Sequence, residues 1–175
     1  TCALPISGLI EEMTIPMNDR VTYFGDGVYD ATYARNHKIF ALSDHLDRFY
    51  NSCRLLKIPF DMPREELAKT LEDLVNQVDD GETFLYWQAT RGTGMRNHAF
   101  PSTKPNLLVT VTPCKFKNVY KKLRLITLED TRFFHCNVKT LNLIPSVLAA
   151  EATKQAGCDE SVFYRVRGEQ KIVTE

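Results

Sequence analysis

Lys139 stands in the stretch His135-Cys136-Asn137-Val138-Lys139-Thr140-Leu141-Asn142-Leu143, with apolar residues on both sides and a helix expected just beyond. A lysine in apolar surroundings tends to lose its proton and become a nucleophile able to form a Schiff base. The alternative is a lysine whose stem crosses apolar surface while its ammonium reaches water, and spacing alone favours that alternative. Arg48 follows Asp44, His45 and Asp47. Its planar fork can grip a phosphate, or it can pair with Asp44 one helical turn back, which is the commoner arrangement. Arg96-Asn97-His98 follows Gly92-Thr93-Gly94 and sets a cation, an amide and an imidazole on one loop. That set suits a small carboxylate, although polar loops of this composition are often idle. Gly25-Asp26-Gly27 lacks the wider glycine pattern of a phosphate loop and reads as a turn. Glu175 ends a strand, and a lone carboxylate there says nothing further.

The elements that must position these residues follow from periodicity. Val28 to Ala34 alternates as a strand, Asn36-His37 can turn, and Lys38 to Leu42 runs back, which predicts a hairpin. Ser43 then stands as an N-cap before Leu46, Phe49, Tyr50, Cys53 and Leu56, apolar at helical spacing, with an end near Lys57 ahead of Pro59. Asp61-Met62-Pro63 opens a second helix with Leu67, Leu71, Leu74 and Val75 on one face, ending at Asp79-Asp80-Gly81. Thr83 to Thr90 and Asn106 to Thr112 read as partner strands around a loop from Arg91 to Thr103. Beyond Pro113 the spacing predicts a strand at Leu123 to Leu128 and a helix from Pro145 to Ala156, stopped by Gly157. A last hairpin of Glu160–Val166 and Gln170–Thr174 turns near Arg167-Gly168.

The chain of 175 residues is 43% hydrophobic and 25% charged, ordinary for a globular protein, and the elements above make its class α+β. With 22 basic against 22 acidic residues there is no electrostatic case for nucleic acid or an acidic membrane face. Apolar runs are too short for a membrane span, and nothing resembles a signal peptide. Five cysteines without a CxxC pair suit a reducing compartment, so a cytoplasmic location is expected, with neither disulfide framework nor metal site. Ala3-Leu4-Pro5-Ile6 is what a common sequencing-adapter string encodes, so residues 1–7 are expected to be a non-native start. The remainder divides into a small N-terminal domain (8–112), a linker (113–117) and the beginning of a second, larger domain (118–175). The second part would leave sheet edges unpaired by itself, so the chain is expected to be cut.

Together the motifs resemble those of the fold-type IV pyridoxal-phosphate enzymes, the class IV aminotransferases. Tyr23-Phe24-Gly25-Asp26-Gly27-Val28-Tyr29 is similar to the family's FGDGVYE opening, with Asp30 in place of Glu. His45-Leu46-Asp47-Arg48 matches its HLDRL helix, and Asn137-Val138-Lys139-Thr140-Leu141-Asn142 its cofactor-lysine segment, with Asn137 in place of Asp. Ile172-Val173-Thr174-Glu175 matches the strand that ends in Thr-Glu. The resemblance implies a two-domain fold: a small N-terminal α/β sandwich-like domain, complete here, and a larger cofactor-binding domain that is truncated. It implies that Lys139 holds pyridoxal phosphate as a Schiff base and then moves the substrate proton, that Glu175 pairs with the pyridinium nitrogen, and that Arg48 binds the phosphate. Thr90 to Pro101 resembles the RGxxxRNHxFP loop of D-amino-acid aminotransferases. There the arginine and histidine come from the neighbouring subunit of a homodimer and join a tyrosine on the substrate carboxylate, which maps onto Arg96, His98 and Tyr29. The implied reaction is transamination between D-alanine and 2-oxoglutarate. Branched-chain aminotransferase, aminodeoxychorismate lyase and a non-catalytic binding protein of the same fold are the alternatives. Because the family continues past Thr-Glu with a phosphate loop, the resemblance implies an N-terminal fragment, inactive alone. A longer turn between Arg165 and Lys171 is expected to absorb the wider spacing from Lys139 to Glu175.

Overall fold

A computed structural model of the chain describes residues 7–78 and 81–175. The expected non-native start, Ser7 apart, lies outside the described residues, as do Asp79 and Asp80 of the expected helix end. The chain forms two compact units: the residues up to Phe116 together with Val138–Leu141, and Lys117–Asn137 with Asn142–Glu175.

In the first unit, Asp19 caps a short helix α1 (Arg20–Phe24) by accepting the Val21 N–H at 2.9 Å. Strands β1 (Gly27–Arg35), β2 (Lys38–Ile39), β3 (Glu82–Thr90) and β4 (Asn106–Pro113) form an antiparallel sheet in the order β2-β1-β3-β4. Asn36 and His37 both take positive φ (48° and 64°), the pattern of the tight hairpin turn whose twist suits its strands. The return strand is shorter than its apolar run, because Ala41 takes a left-handed conformation (φ 47°, ψ 39°) and turns the chain at once into helix α2 (Leu42–Leu55). Ser43 is therefore not the N-cap. It lies inside the helix, and its hydroxyl accepts from Arg64 Nη2 at 2.8 Å. At the other end Lys57 is left-handed (φ 54°), and the Ile58 N–H returns to the Cys53 carbonyl at 2.9 Å. This closure drives Ile58 into the core. Helix α3 (Arg64–Asn76) starts behind Pro63 and buries Leu67, Leu71 and Val75.

Strand alternation sorts the sheet into two faces. Val28, Asp30, Thr32 and Ala34 of β1, with Leu85, Trp87 and Ala89 of β3, are buried, and the apolar ones join the α2 and α3 residues in one core. Each large side chain fully buried there contributes roughly 1.5–3 kcal/mol. The opposite face carries Tyr29, Ala31, Tyr86 and Gln88, all half-buried.

The second unit has strands β5 (Leu125–Glu129), β6 (Glu160–Arg167) and β7 (Gln170–Val173) in that order. The parallel β5 and β6 are joined through helix α4 (Ile144–Gln155), which has Pro145 in its first turn and ends at left-handed Gly157. Strands β6 and β7 are antiparallel, with Arg167 opposite Gln170. The turn between them is only Gly168-Glu169, with Gly168 at φ 60°. The expected longer turn is absent, because Arg165, Val166 and Arg167 pair with Ile172, Lys171 and Gln170 and leave only two residues to turn.

Candidate active site

β2 covers only the Ala34–Arg35 end of β1. Val138–Leu141 lies along the other end of that edge through a single antiparallel pairing of Thr140 with Val28. The Tyr29 N–H donates to the Lys139 carbonyl at 3.0 Å, and the Leu141 N–H donates to the Gly27 carbonyl at 3.1 Å. A side chain on Gly27 would lie 2.6 Å from Leu141 Cδ1 and 2.7 Å from the Ala89 carbonyl, so only glycine permits this approach. The Lys139 N–H also reaches Ser52 Oγ of α2 at 3.3 Å, and Val138 is buried in the core. The lysine segment, expected within 118–175, thus packs in the first unit. Alternation then places the half-buried Lys139 on the Tyr29 face, with Nζ 4.1 Å from the Tyr29 ring centroid.

Tyr29 stacks on Tyr86 at 5.5 Å, and the Tyr86 hydroxyl donates to Gln88 Oε1 at 2.7 Å. Burial pushes the Tyr86 phenol up to about 12. Arg48 does not pair with Asp44. Its Nε and Nη2 donate to the two oxygens of Asp30, each at 2.7 Å, forming a bidentate pair across α2 and β1. Asp30 is fully buried, and His45 Nδ1 lies 2.8 Å from its Oδ1. The hydrogen bond to Asp30 is the largest cause that raises the Arg48 pKa, and the nearby Tyr29 adds to it. The Arg48 side chain remains 50% exposed. Lys139 and Tyr29 thus meet on one face of β1, while Arg48 is a cation whose position is set by Asp30, a carboxylate on the opposite, buried face.

Arg96 and His98 lie elsewhere in the same unit. The His98 ring is 5.3 Å from the Phe24 ring, and the Arg96 guanidinium is 5.5 Å over it. Among the described residues no hydrogen bond, ion pair or ring contact brings them to Tyr29 or Lys139 of the same chain. Glu175 belongs to the second unit, where its carboxylate pairs with Arg132 Nη1. Arg132 is held by Asp130 through Nε at 2.9 Å and Nη2 at 3.1 Å. Asp130 also accepts from Thr174 Oγ1 at 2.9 Å and pairs with Arg165 Nε at 3.1 Å. The Arg132 hydrogen bond, aided by Thr174, holds the Asp130 carboxyl far below the ordinary carboxylate range despite its burial. Sequence reasoning misses Asp30, Asp130 and Arg132. The Asp130-Thr131-Arg132 spacing is a local signal for such a clamp, but no local signal joins Asp30 to Arg48.

Among the described residues no group of three or more His, Cys, Asp or Glu is arranged to hold a metal ion. No described helix is long and apolar enough to cross a membrane. Cys53, Cys136 and Cys158 are free thiols.

The fold is that of the fold-type IV aminotransferases. Residues 27–175 match the Amino-transferase class IV model, and the chain belongs to that family. It is 35% identical over 175 aligned positions to a D-alanine aminotransferase of Listeria monocytogenes, covering 94% of this chain and 58% of the relative. The chain thus spans well under two thirds of that relative's length. Two solved structures share the fold. One, from Legionella pneumophila, bears the provisional name 4-amino-4-deoxychorismate lyase; its TM-score is 0.81 at 20% identity, covering 95% of this chain and 62% of the other. A fold IV-transaminase from Curtobacterium pusillum has a TM-score of 0.73 at 19% identity, covering 93% and 61%. Solved structures with different activities in their names thus share one backbone, so the fold does not choose the reaction.

Proposed function

We propose that the protein carries out pyridoxal-phosphate-dependent transamination of D-amino acids, with D-alanine and 2-oxoglutarate as the substrate pair. The observation that carries this reading is Lys139, half-buried on the edge of the first sheet with its amine against Tyr29 and its main chain held on both sides. The residues suit the cofactor: an amine for its aldehyde, and for its phosphate a half-exposed guanidinium already oriented by buried Asp30. The name of the Listeria relative and the Arg96-Asn97-His98 loop support the choice of D-amino acids.

Pyridoxal phosphate supplies, when bound, the electron sink that allows the substrate Cα–H bond to break as a proton. Lys139 Nζ is then the base that takes this proton and returns it, so its amine must be neutral for part of the cycle. Arg48 grips the phosphate with its outer N–H groups, while Asp30 and His45 keep its fork from turning away. Tyr29, with Arg96 and His98 from a neighbouring copy in a homodimer, binds the substrate carboxylate and so sets which face of Cα meets Lys139. Glu175 would accept a hydrogen bond from the cofactor's ring nitrogen and so favour its electron-withdrawing form.

The test is exchange of the Cα proton in deuterium oxide, measured on the intact protein. D-alanine should exchange and L-leucine should not, and Lys139→Ala should abolish the exchange. Exchange of L-leucine would instead indicate branched-chain transamination. Release of pyruvate and 4-aminobenzoate from aminodeoxychorismate would indicate the lyase, and neither reaction would leave a binding protein.

A further inference from the structure

The first unit also holds a buried carboxylate that the proposed chemistry does not use. Asp26 has a side chain 13% exposed and stands between two arginines, Arg20 at 4% and Arg91 at 6%. Arg20 Nε donates to Asp26 Oδ2 at 2.7 Å, and Arg91 Nε lies 2.9 Å from the same oxygen and 3.1 Å from Oδ1. The far ends of both guanidiniums go to main-chain carbonyls. Arg20 Nη1 donates to Asn97 at 2.5 Å and Ala99 at 3.3 Å, and Nη2 reaches His98 at 3.5 Å. Arg91 donates to Lys57 and Leu56 at 2.8 Å each, the carbonyls at the C-terminal end of α2.

One carboxylate thus anchors two separate clamps. The first holds the backbone on either side of His98. The second closes the helix that carries Arg48 and Ser52. Without the Asp26 charge, two desolvated guanidiniums would face each other with a net repulsion and no common acceptor. Neither arginine would then be held at the angle that its carbonyl contacts require. The same residue is followed directly by Gly27, where β1 begins and whose carbonyl accepts from the Leu141 N–H of the lysine segment.

We infer that Asp26 is a positioning residue for substrate capture: through Arg20 it fixes the loop that presents Arg96 and His98, and through Arg91 it fixes the C-terminal end of α2. The substrate half of this inference rests on the carboxylate-binding role proposed for Arg96 and His98. The clamp itself rests only on the hydrogen bonds above.

Amide hydrogen exchange and steady-state kinetics on the intact protein test the two halves separately. Asp26→Asn and Arg20→Gln should each speed exchange in peptides spanning 96–99 by about tenfold or more, whereas Arg91→Gln should act on peptides spanning 53–58. Asp26→Asn should also raise the KM for D-alanine about tenfold with kcat within about threefold, as expected when binding common to ground and transition states is lost. If Asp26→Asn does not fold, Arg20→Lys keeps the charge, loses the fork and carries the same expectation at 96–99. Unchanged exchange at 96–99 in the folded variants overturns the clamp. Faster exchange with an unchanged KM, in a protein that turns over D-alanine, overturns the link to substrate. An intact protein with no D-amino-acid turnover would defeat the proposed function instead, and the exchange pattern alone would then decide the clamp.

Discussion

Lys139 and Glu175 are secured by different physical means in the two units. Lys139 is held by main-chain pairing to β1, with Val138 beside it in an apolar core that contains Phe49, Trp87, Leu67 and Leu71. Glu175 lies at the end of a unit whose buried apolar residues are Ala149 and Phe163, and its carboxylate meets a chain of charges running through Arg132 and Asp130. The first arrangement depends on shape and apolar area, which respond little to acid or salt. The second depends on protonation state and is weakened by both.

The largest expected effect comes from breaking the first arrangement. Phe49→Ala removes a fully buried ring that meets Phe60 at 5.4 Å and Trp87 at 6.1 Å. It should cost about 3–5 kcal/mol in urea unfolding. Trp87, the one tryptophan of the chain, reports on this unit through its fluorescence. A loss below about 1 kcal/mol would mean that the apolar core is not what holds the first unit. Asp130→Asn comes next. It leaves Arg132 and Arg165 without their shared charge and should cost about 1.5–3 kcal/mol, read as faster amide exchange in β6 and β7 with Trp87 fluorescence unchanged. A Trp87 response of equal size would erase the distinction between the units.

Acid sharpens the same contrast. The folded Asp130 carboxyl titrates far below its ordinary value of 3.8, chiefly through its hydrogen bonds with Arg132 and against its burial. Its contribution is therefore fully present above that value and is lost as pH falls below it toward the folded pKa. Asp26 shifts the same way: burial raises it, but hydrogen bonds from Arg91 and Arg20 outweigh that effect. The fall at Asp130 is the larger, so exchange in β6 and β7 should accelerate before Trp87 fluorescence changes on acidification from about pH 4 to pH 2. Loss of both signals together would refute the ordering. The smallest effect is expected at Lys69, whose exposed pair with Asp73 at 2.6 Å lies one turn along α3. Lys69→Ala should change stability by less than about 0.5 kcal/mol in the same urea titration.

Much of the fold is legible locally. Asn36-His37 marks its own turn, and the spacing of Leu67, Leu71 and Val75 marks the buried face of α3. Ser43 misleads because a serine ahead of an apolar helical pattern is ordinarily a cap, whereas here a left-handed alanine makes the corner first. Lys57 is equally hidden, since only its surroundings force a lysine into a glycine-like conformation. The site was legible in its residue types but not in its support. Arg48 has a plausible acid within its own helix, yet its partner is Asp30 in another element. Arg20 and Arg91 are buried in the structure, and no periodicity in the sequence marks them as such. Long-range pairing of opposite charges leaves no periodicity to read.

The segment Val138–Leu141 also bears on the order of assembly. During synthesis, β1, β2, β3 and β4 emerge first and can pair at once, but the stretch of β1 edge beside Gly27 waits for a segment made after Phe116 and the following excursion. Closing so long a loop is an entropic obstacle that hairpin neighbours do not face. Until then the nascent sheet has an open edge, the kind of surface that recruits a strand from another chain. The amine proposed to act on substrate therefore arrives on the piece that seals this edge, and the reactive group and the safeguard against misassembly come into place together.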